Sequence, residues 1–373
     1  MGNILIHFND NSYWDDHLSE ESTDSGSTAN DLDFLRMDWH KFLKARRSGG
    51  GFKLLESYMN DNPGDHDFPE TRVLWIQGAQ CTGCSESLLD ASNPALLKAF
   101  EILNIDLKRH EAFLAHQGLF VDGEPANTSE LNSEILLDEI SEQGNYILMV
   151  EGAIANGPDG SGKYFMSGNR SSKEMFKKAA QNADLIIAVG TCAAYGGINT
   201  ADSDIVNILD YRGVAFTKKD PSKGMLNLLG IDKPVINIPG CPPHPDWIIY
   251  TLSAIISGNV KIPDDLPEVL DKFGRPKVFF PPDHNVHKDC PRKEFFDNKE
   301  FDTCVGGEKC LLKMGCQAFL AHADCALRKW NDGHSYCVQA GSPCIACVEP
   351  DFPDNTRPLY SSKKNRKRKE ADQ

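Results

Sequence analysis

The sequence predicts an α/β protein, with an open and mainly parallel sheet followed by a smaller cysteine-dense domain. Three observations carry that expectation. From Val73 onward, short runs rich in Val, Ile and Leu alternate with helix-like segments, the pattern of strands joined by helical crossovers. The loop after each of these runs carries cysteine, glycine or a carboxylate. After about Gly258 the alternation stops, and proline-rich stretches lead into a region dense in cysteine.

Taken in order, residues 1–70 are acidic and rich in Ser, Thr, Asn and Gly, and read as a poorly ordered or peripheral extension with one amphipathic helix expected over 34–43. Strands are expected over 73–76, 146–150, 185–189 and 235–238, each a short apolar run with β-branched residues. Helices are expected over 94–103, 133–140, 173–181 and 247–256, so that 71–260 forms one domain. Residues 263–282 are proline-rich and suit a boundary. The domain 261–355 that follows is short of long regular segments between His287 and Cys347, and is expected to fold around metal centres. The tail 356–373 contains KKNRKRK, read as a solvated basic end, with contact to an anionic membrane or a partner as the weaker reading.

The net charge of −15 over 373 residues argues against nucleic acid as the main partner, because phosphate binding needs a basic surface. No apolar run reaches the roughly 18 residues of a membrane-spanning helix. Residues 10–38 lack the basic start and apolar core of a signal peptide, and Arg46-Arg47 is followed by Ser-Gly-Gly-Gly rather than by an apolar run. The expectation is a cytoplasmic or peripherally membrane-attached protein with no export signal of its own. Its twelve cysteines then read as metal or cluster ligands rather than disulfides.

In a parallel sheet the carboxyl ends of the strands share one edge, where ligands bind. The expected strands end at Cys81 and Cys84, at Glu151, at Cys192 and at Cys241, so four cysteines and one carboxylate are expected in one crevice. Spacing sorts the later ligands into His287, Cys290, Cys310 and Cys316, and into Cys325, Cys337, Cys344 and Cys347. Eleven of the twelve cysteines are then used, leaving Cys304. Spacing alone leaves zinc and iron–sulfur both open.

A competing signal is Gly157-PDGS-Gly162-Lys163, a near match to a phosphate-binding loop. Tyr164 stands where the magnesium-binding hydroxyl belongs, so nucleotide hydrolysis is set aside.

The chain from about Val73 to Phe352 resembles the small subunit of a nickel–iron hydrogenase, through WIQGAQCTGCSESLL, VEGAI, AVGTCAAYGGI, IPGCPPHP, HKDCPR, CLLKMGC and WNDGHSYCVQAGSPCIACVEPDF. The resemblance implies a flavodoxin-like domain holding a proximal [4Fe–4S] cluster on Cys81, Cys84, Cys192 and Cys241. It makes His287, Cys290, Cys310 and Cys316 the ligands of a distal [4Fe–4S] cluster near the surface, and Cys325, Cys344 and Cys347 ligands of a medial one. Many members have proline where this chain has Cys337 and hold a [3Fe–4S] medial cluster; the fourth thiolate favours [4Fe–4S] here, at a lower potential. Oxygen-tolerant relatives carry two further proximal cysteines where this chain has Gly83 and Gly197, which implies a standard proximal cluster.

The resemblance further implies a separate large subunit with the nickel–iron centre, and one-electron relay through three clusters. The external acceptor is expected to be a cytochrome, a quinone-linked protein or a ferredoxin-like carrier. No catalytic residue is expected in this chain; Glu86 and Glu151 are candidates for proton movement, for hydrogen bonds at the subunit interface, or for capping a helix start. Two alternatives stand beside this reading: a subunit of a related F420- or quinone-reducing complex, which would lack the HKDC and SPCIAC sets, and a zinc-stabilised scaffold.

Overall fold

The computed structural model describes residues 68–354, apart from 93, 115–119, 122–123, 126–127 and 131. The helix expected over 34–43 and the basic tail lie outside the described residues.

Five strands build the central sheet: β1 (Thr71–Gln77), β2 (Ile105–Arg109), β3 (Ile147–Glu151), β4 (Leu185–Val189) and β5 (Val235–Ile238). They lie in the order β5-β4-β3-β1-β2, all pairs parallel. This is the flavodoxin-type order, with its switch point between β1 and β3. Four of the strands fall where the apolar runs place them. The fifth, β2, was not expected: its IDLKR sequence is half polar, and all but Arg109 are only half-buried. As an edge strand it has one free side, where charge also discourages pairing with other chains.

Side chains alternate cleanly across the sheet, as the two-residue period of a strand requires. Val73, Trp75, Ile147, Met149, Ile187 and Ile236 enter one core. Leu74, Ile76, Leu148, Val150, Ile186 and Ala188 enter the other.

The helices that position the site are α1 (Gly83–Leu89), α2 (Leu96–Ile102), α3 (Ser133–Gln143), α4 (Ser172–Gln181), α5 (Gly190–Tyr195) and α6 (Pro245–Ile256). The first core takes Leu88 of α1, Ala99 of α2 and Trp247 of α6. The second takes Leu137 of α3, Phe176 of α4 and Tyr195 of α5. Helix α4 opens with a reciprocal cap, in which Ser171 Oγ accepts from Glu174 N at 3.2 Å and the Glu174 carboxylate accepts from Ser171 N at 2.8 Å. Helix α6 begins before the expected Trp247, because Pro245 is preset for a first helical turn and His244 Nδ1 accepts the N–H of Asp246 at 3.1 Å.

Beyond 260 the longest helix among the described residues is five residues, Lys293–Asp297. Regular structure is replaced there by apolar residues docked on the first core, including Phe279, Phe280, Leu311, Ala323, Val338 and Val348. The short helix α7 (Cys325–Arg328) is fastened to α6 by ion pairs: the Arg328 guanidinium donates to Asp324 at 2.7 Å and to Asp246 at 2.8 Å. A second buried guanidinium, Arg275, donates to Asp271 at 2.8 Å and to Glu349 at 3.1 Å. Among the described residues no helix is long and apolar enough to cross a membrane.

Candidate metal centre

The ends of β1, β4 and β5 converge as their order in the sheet dictates. Cys84 has Cys192, Cys241 and Cys81 as electrostatic neighbours, together with Glu151. Burial, then those charges, pushes its thiol well up from the ordinary value. Burial and Cys241 push the Cys192 thiol up to about 12. Cys81 and Cys241 are exposed, so this set opens on one side of the chain.

Three glycines shape the pocket. A Cβ at Gly190 would overlap Cys84 Sγ, one at Gly197 would lie 2.9 Å from Cys192 Sγ, and one at Gly83 would lie 3.1 Å from Cys81 Sγ. Gly83 and Gly197 therefore both face the thiols.

The later residues also gather. Cys325 has Cys347 and Cys337 as electrostatic neighbours, and Cys337 lies beside Cys344, a pairing that lowers the Cys337 thiol and raises that of Cys344. All four thiols of that set thus meet, Cys337 included. Cys290, Cys310 and Cys316 are likewise mutual neighbours. His287 is tied to them through its backbone, its carbonyl accepting the N–H of Cys290 at 3.2 Å. Its ring stacks on Phe319 at 3.7 Å, with Phe296 edge-on at 4.7 Å. Cys304 is exposed.

The three sets are joined in series. Cys347 has Cys241 as its first electrostatic neighbour, and burial with that neighbour pushes its thiol up to about 12. Cys344 has Cys316 beside it, and the Cys316 thiol is hydrogen-bonded by the Cys344 backbone.

The donors fit iron–sulfur clusters. They are soft thiolates when deprotonated, four to a set with one imidazole among them. Among the described residues no three His, Cys, Asp or Glu side chains converge tightly enough for a single ion.

Glu151 is fully buried. Its carboxylate accepts the N–H of Cys84 at 3.1 Å and of Ser85 at 3.3 Å, in the first turn of α1. It also accepts from Trp75 Nε1 at 3.2 Å, Gln77 Nε2 at 3.0 Å and the Ser85 hydroxyl. Buried carboxylates persist when donors surround them, and here those donors fix the loop carrying Cys81 and Cys84. Glu86, by contrast, is exposed.

Several residues of the site were not singled out from the sequence. Ser85 Oγ also meets His110 Nε2 at 3.2 Å, and burial, then Arg109, lowers the His110 imidazole to about 4. Thr191 accepts the N–H of Gly240 at 2.9 Å and donates to the carbonyl of Cys347, so one hydroxyl ties two strand ends to the cysteine-rich segment. Thr191→Val is expected to destabilise the protein by about 1–3 kcal/mol, read as a lower Tm with the strand content by circular dichroism unchanged. Tyr336 is buried, with its phenol pushed far above the ordinary value by burial and then by Cys290.

The near-match to a phosphate loop has other work. Lys173 Nζ donates to the Asn156 side chain at 2.7 Å and to the Gly160 carbonyl at 2.6 Å. The chain then enters a short hairpin pairing Met166 with Ser171, not a helix whose N-terminus would receive phosphate.

Two family models match the chain. One is NADH ubiquinone oxidoreductase, 20 Kd subunit, over residues 81–255; the other is the C-terminal model of the NiFe/NiFeSe hydrogenase small subunit, over residues 283–360. The second spans the HKDC and SPCIAC motifs. The chain is 57% identical over 343 residues to the F420 non-reducing hydrogenase I small subunit of Methanosarcina mazei, covering 92% of this chain and 89% of that one. It is 36% identical over 302 residues to the periplasmic [NiFeSe] hydrogenase small subunit of Desulfomicrobium baculatum, covering 77% and 86% respectively. Among solved structures, the [NiFeSe] hydrogenase of Desulfovibrio vulgaris Hildenborough aligns with a TM-score of 0.66 at 34% identity, covering 80% of this chain and 100% of that chain. The chain belongs to the small-subunit family of nickel–iron hydrogenases, a membership that implies iron–sulfur clusters in this chain and a nickel–iron site in a large-subunit partner.

Proposed function

We propose that this chain relays electrons, released when the large subunit splits H2, through three iron–sulfur clusters to an external acceptor. The observation that carries the reading is the serial adjacency of the thiol sets, with Cys241 beside Cys347 and Cys344 beside Cys316. Cys81, Cys84, Cys192 and Cys241 would hold the first cluster, and their exposed side would face the large subunit. Cys325, Cys337, Cys344 and Cys347 would hold the second. His287, Cys290, Cys310 and Cys316 would hold the third, with the half-buried His287 toward the acceptor. Bound there, the clusters would supply one-electron storage and transfer.

The chain's own residues space these sites, exclude water and direct hydrogen bonds at the ligands. Glu151 does so at the first set, fixing the Cys84 turn. A cytochrome, a quinone-linked protein or a ferredoxin-like carrier would accept the electrons, in the cytoplasm or at a membrane face. The likeness to small subunits named as F420 non-reducing supports an acceptor other than F420.

Iron analysis and EPR of the purified heterodimer test this. About twelve irons in the small subunit and no [3Fe–4S] signal after oxidation are expected. A strong [3Fe–4S] signal in the oxidised protein would remove Cys337 from the ligand set. Conversely, Cys337→Pro is expected to create that signal and raise the medial potential in a redox titration.

A further inference from the structure

Tyr336 is only 3% exposed, and its hydroxyl completes no hydrogen bond of ordinary geometry among the described residues, the Cys290 thiol being the partner it approaches. A buried polar group left unsatisfied costs about 1–3 kcal/mol, and such groups in native structures call for a specific explanation. Around this oxygen lie sulfur atoms: Cys290 foremost, then Cys337 and Cys344. The phenol therefore stands at the seam between the distal set, which includes Cys290, and the medial set, which includes the other two.

The chain holds it there. The Tyr336 carbonyl accepts the N–H of Ala340 at 2.9 Å, and the preceding residue, Ser335, is bridged to Trp330. Cys290 is fixed by the turn at His287, whose carbonyl accepts its N–H at 3.2 Å. A neutral thiol is a weak acceptor, whereas a thiolate bound to iron accepts an O–H readily. The phenol has one proton to donate, so it can complete one such bond.

We propose that Tyr336 donates its hydroxyl to the Cys290 sulfur when that sulfur is an iron-bound thiolate, and thereby raises the potential of the distal cluster relative to the medial one. The proposal rests on the ligand sets given above. A hydrogen bond to a cluster sulfur stabilises the reduced, more negative form, which is how surrounding donors tune potential. Tyr336 is thus a positioning residue for the last electron transfer. Its neighbour Cys337 lies in the medial set, so a single short stretch would supply a ligand to one cluster and a potential-setting donor to the next.

Tyr336→Phe in the full heterodimer removes only the hydroxyl. A redox titration followed by EPR is expected to show the distal signal shifting to lower potential, with the medial midpoint and the iron content as in wild type. Unchanged midpoints, or a shift of the medial signal alone, would overturn the proposal. A measurement on the unaltered protein guards against a variant that fails to load its clusters. With ring-deuterated tyrosine incorporated, electron–nuclear double resonance at the distal signal is expected to show deuterium coupling, and its absence would also overturn the proposal. Failure of the ligand reading itself is distinguishable, because Cys290→Ser would then leave the iron content and the distal signal intact.

Discussion

Gly190→Ala is expected to abolish assembly of the proximal site, lowering the iron content of the heterodimer by about one cluster, four irons. The residue follows the last residue of β4 and begins α5, two positions before Cys192. Its φ of +85° is strained for alanine by about 1–2 kcal/mol, a cost that alone would leave the protein folded. The larger effect is steric. The new Cβ would overlap Cys84 Sγ and lie 3.6 Å from the Gly240 carbonyl oxygen, between the loops that carry three of the four ligands. Cys84 cannot retreat cheaply, because its N–H is held by Glu151 and α1 follows at once. Gly160→Ala separates the two contributions. Gly160 has a φ of +78° and nothing within 4 Å of a Cβ, so it suffers the backbone strain without the clash. Full iron content is expected in Gly160→Ala, and H2-driven dye reduction in Gly190→Ala is expected to fall by at least about 10–100-fold. Equal behaviour of the two variants would show that the pocket tolerates the added atom.

Arg328→Met should destabilise the protein by about 3–5 kcal/mol, because it strips the counter-ion from two carboxylates while leaving them in place. Arg328 and Asp324 are almost completely buried. Asp324 also accepts from Trp247 Nε1 at 2.8 Å, and the guanidinium lies 5.2 Å from the Phe279 ring and 5.7 Å from that of Tyr250. The group therefore connects α6, which follows Cys241, to α7, which begins with Cys325. A lower Tm is expected together with loss of the medial EPR signal before the proximal one, since Cys325 sits in the four-residue helix that Arg328 anchors. Asp324→Asn in the same chain is expected to restore part of the Tm, by removing one of the charges left unpaired. If the double variant is no more stable than Arg328→Met, the loss is one of packing around the two aromatic rings.

Much of the proximal site was legible in the sequence for a geometric reason. Short apolar runs announce buried parallel strands, and such strands must end on a common edge, so the residues just after 76, 150, 189 and 238 were bound to meet. The later sets were legible as groups because thiols at short spacing share a turn. Cys337 illustrates both the reach and the limit of that argument. Its position suggested a fourth ligand, but that it lies beside Cys344 and Cys325 is decided by the fold.

What the sequence determined by itself was the type of protein: the strand–loop pattern, the donor chemistry, and the family that those motifs resemble. What only the tertiary structure decided was pairing over distance. The edge strand β2 hid because its alternation, Ile105 and Leu107 against Asp106 and Lys108, lasts only five residues and lacks a β-branched apolar run. Glu151 was visible as a carboxylate after a strand, but its burial beneath Trp75, Gln77, Ser85 and the Cys84 turn depends on contacts about 66 to 76 residues away. The Arg328 group spans 82 residues to Asp246, and Thr191 reaches 156 residues to Cys347. Hydrophobic periodicity reports which face of an element is buried, since that depends on neighbours along the chain. It carries no label for the partner across the core, so hydroxyls such as Tyr336 and Thr191 acquire their roles only when the sheet and the cysteine-rich segment close on each other.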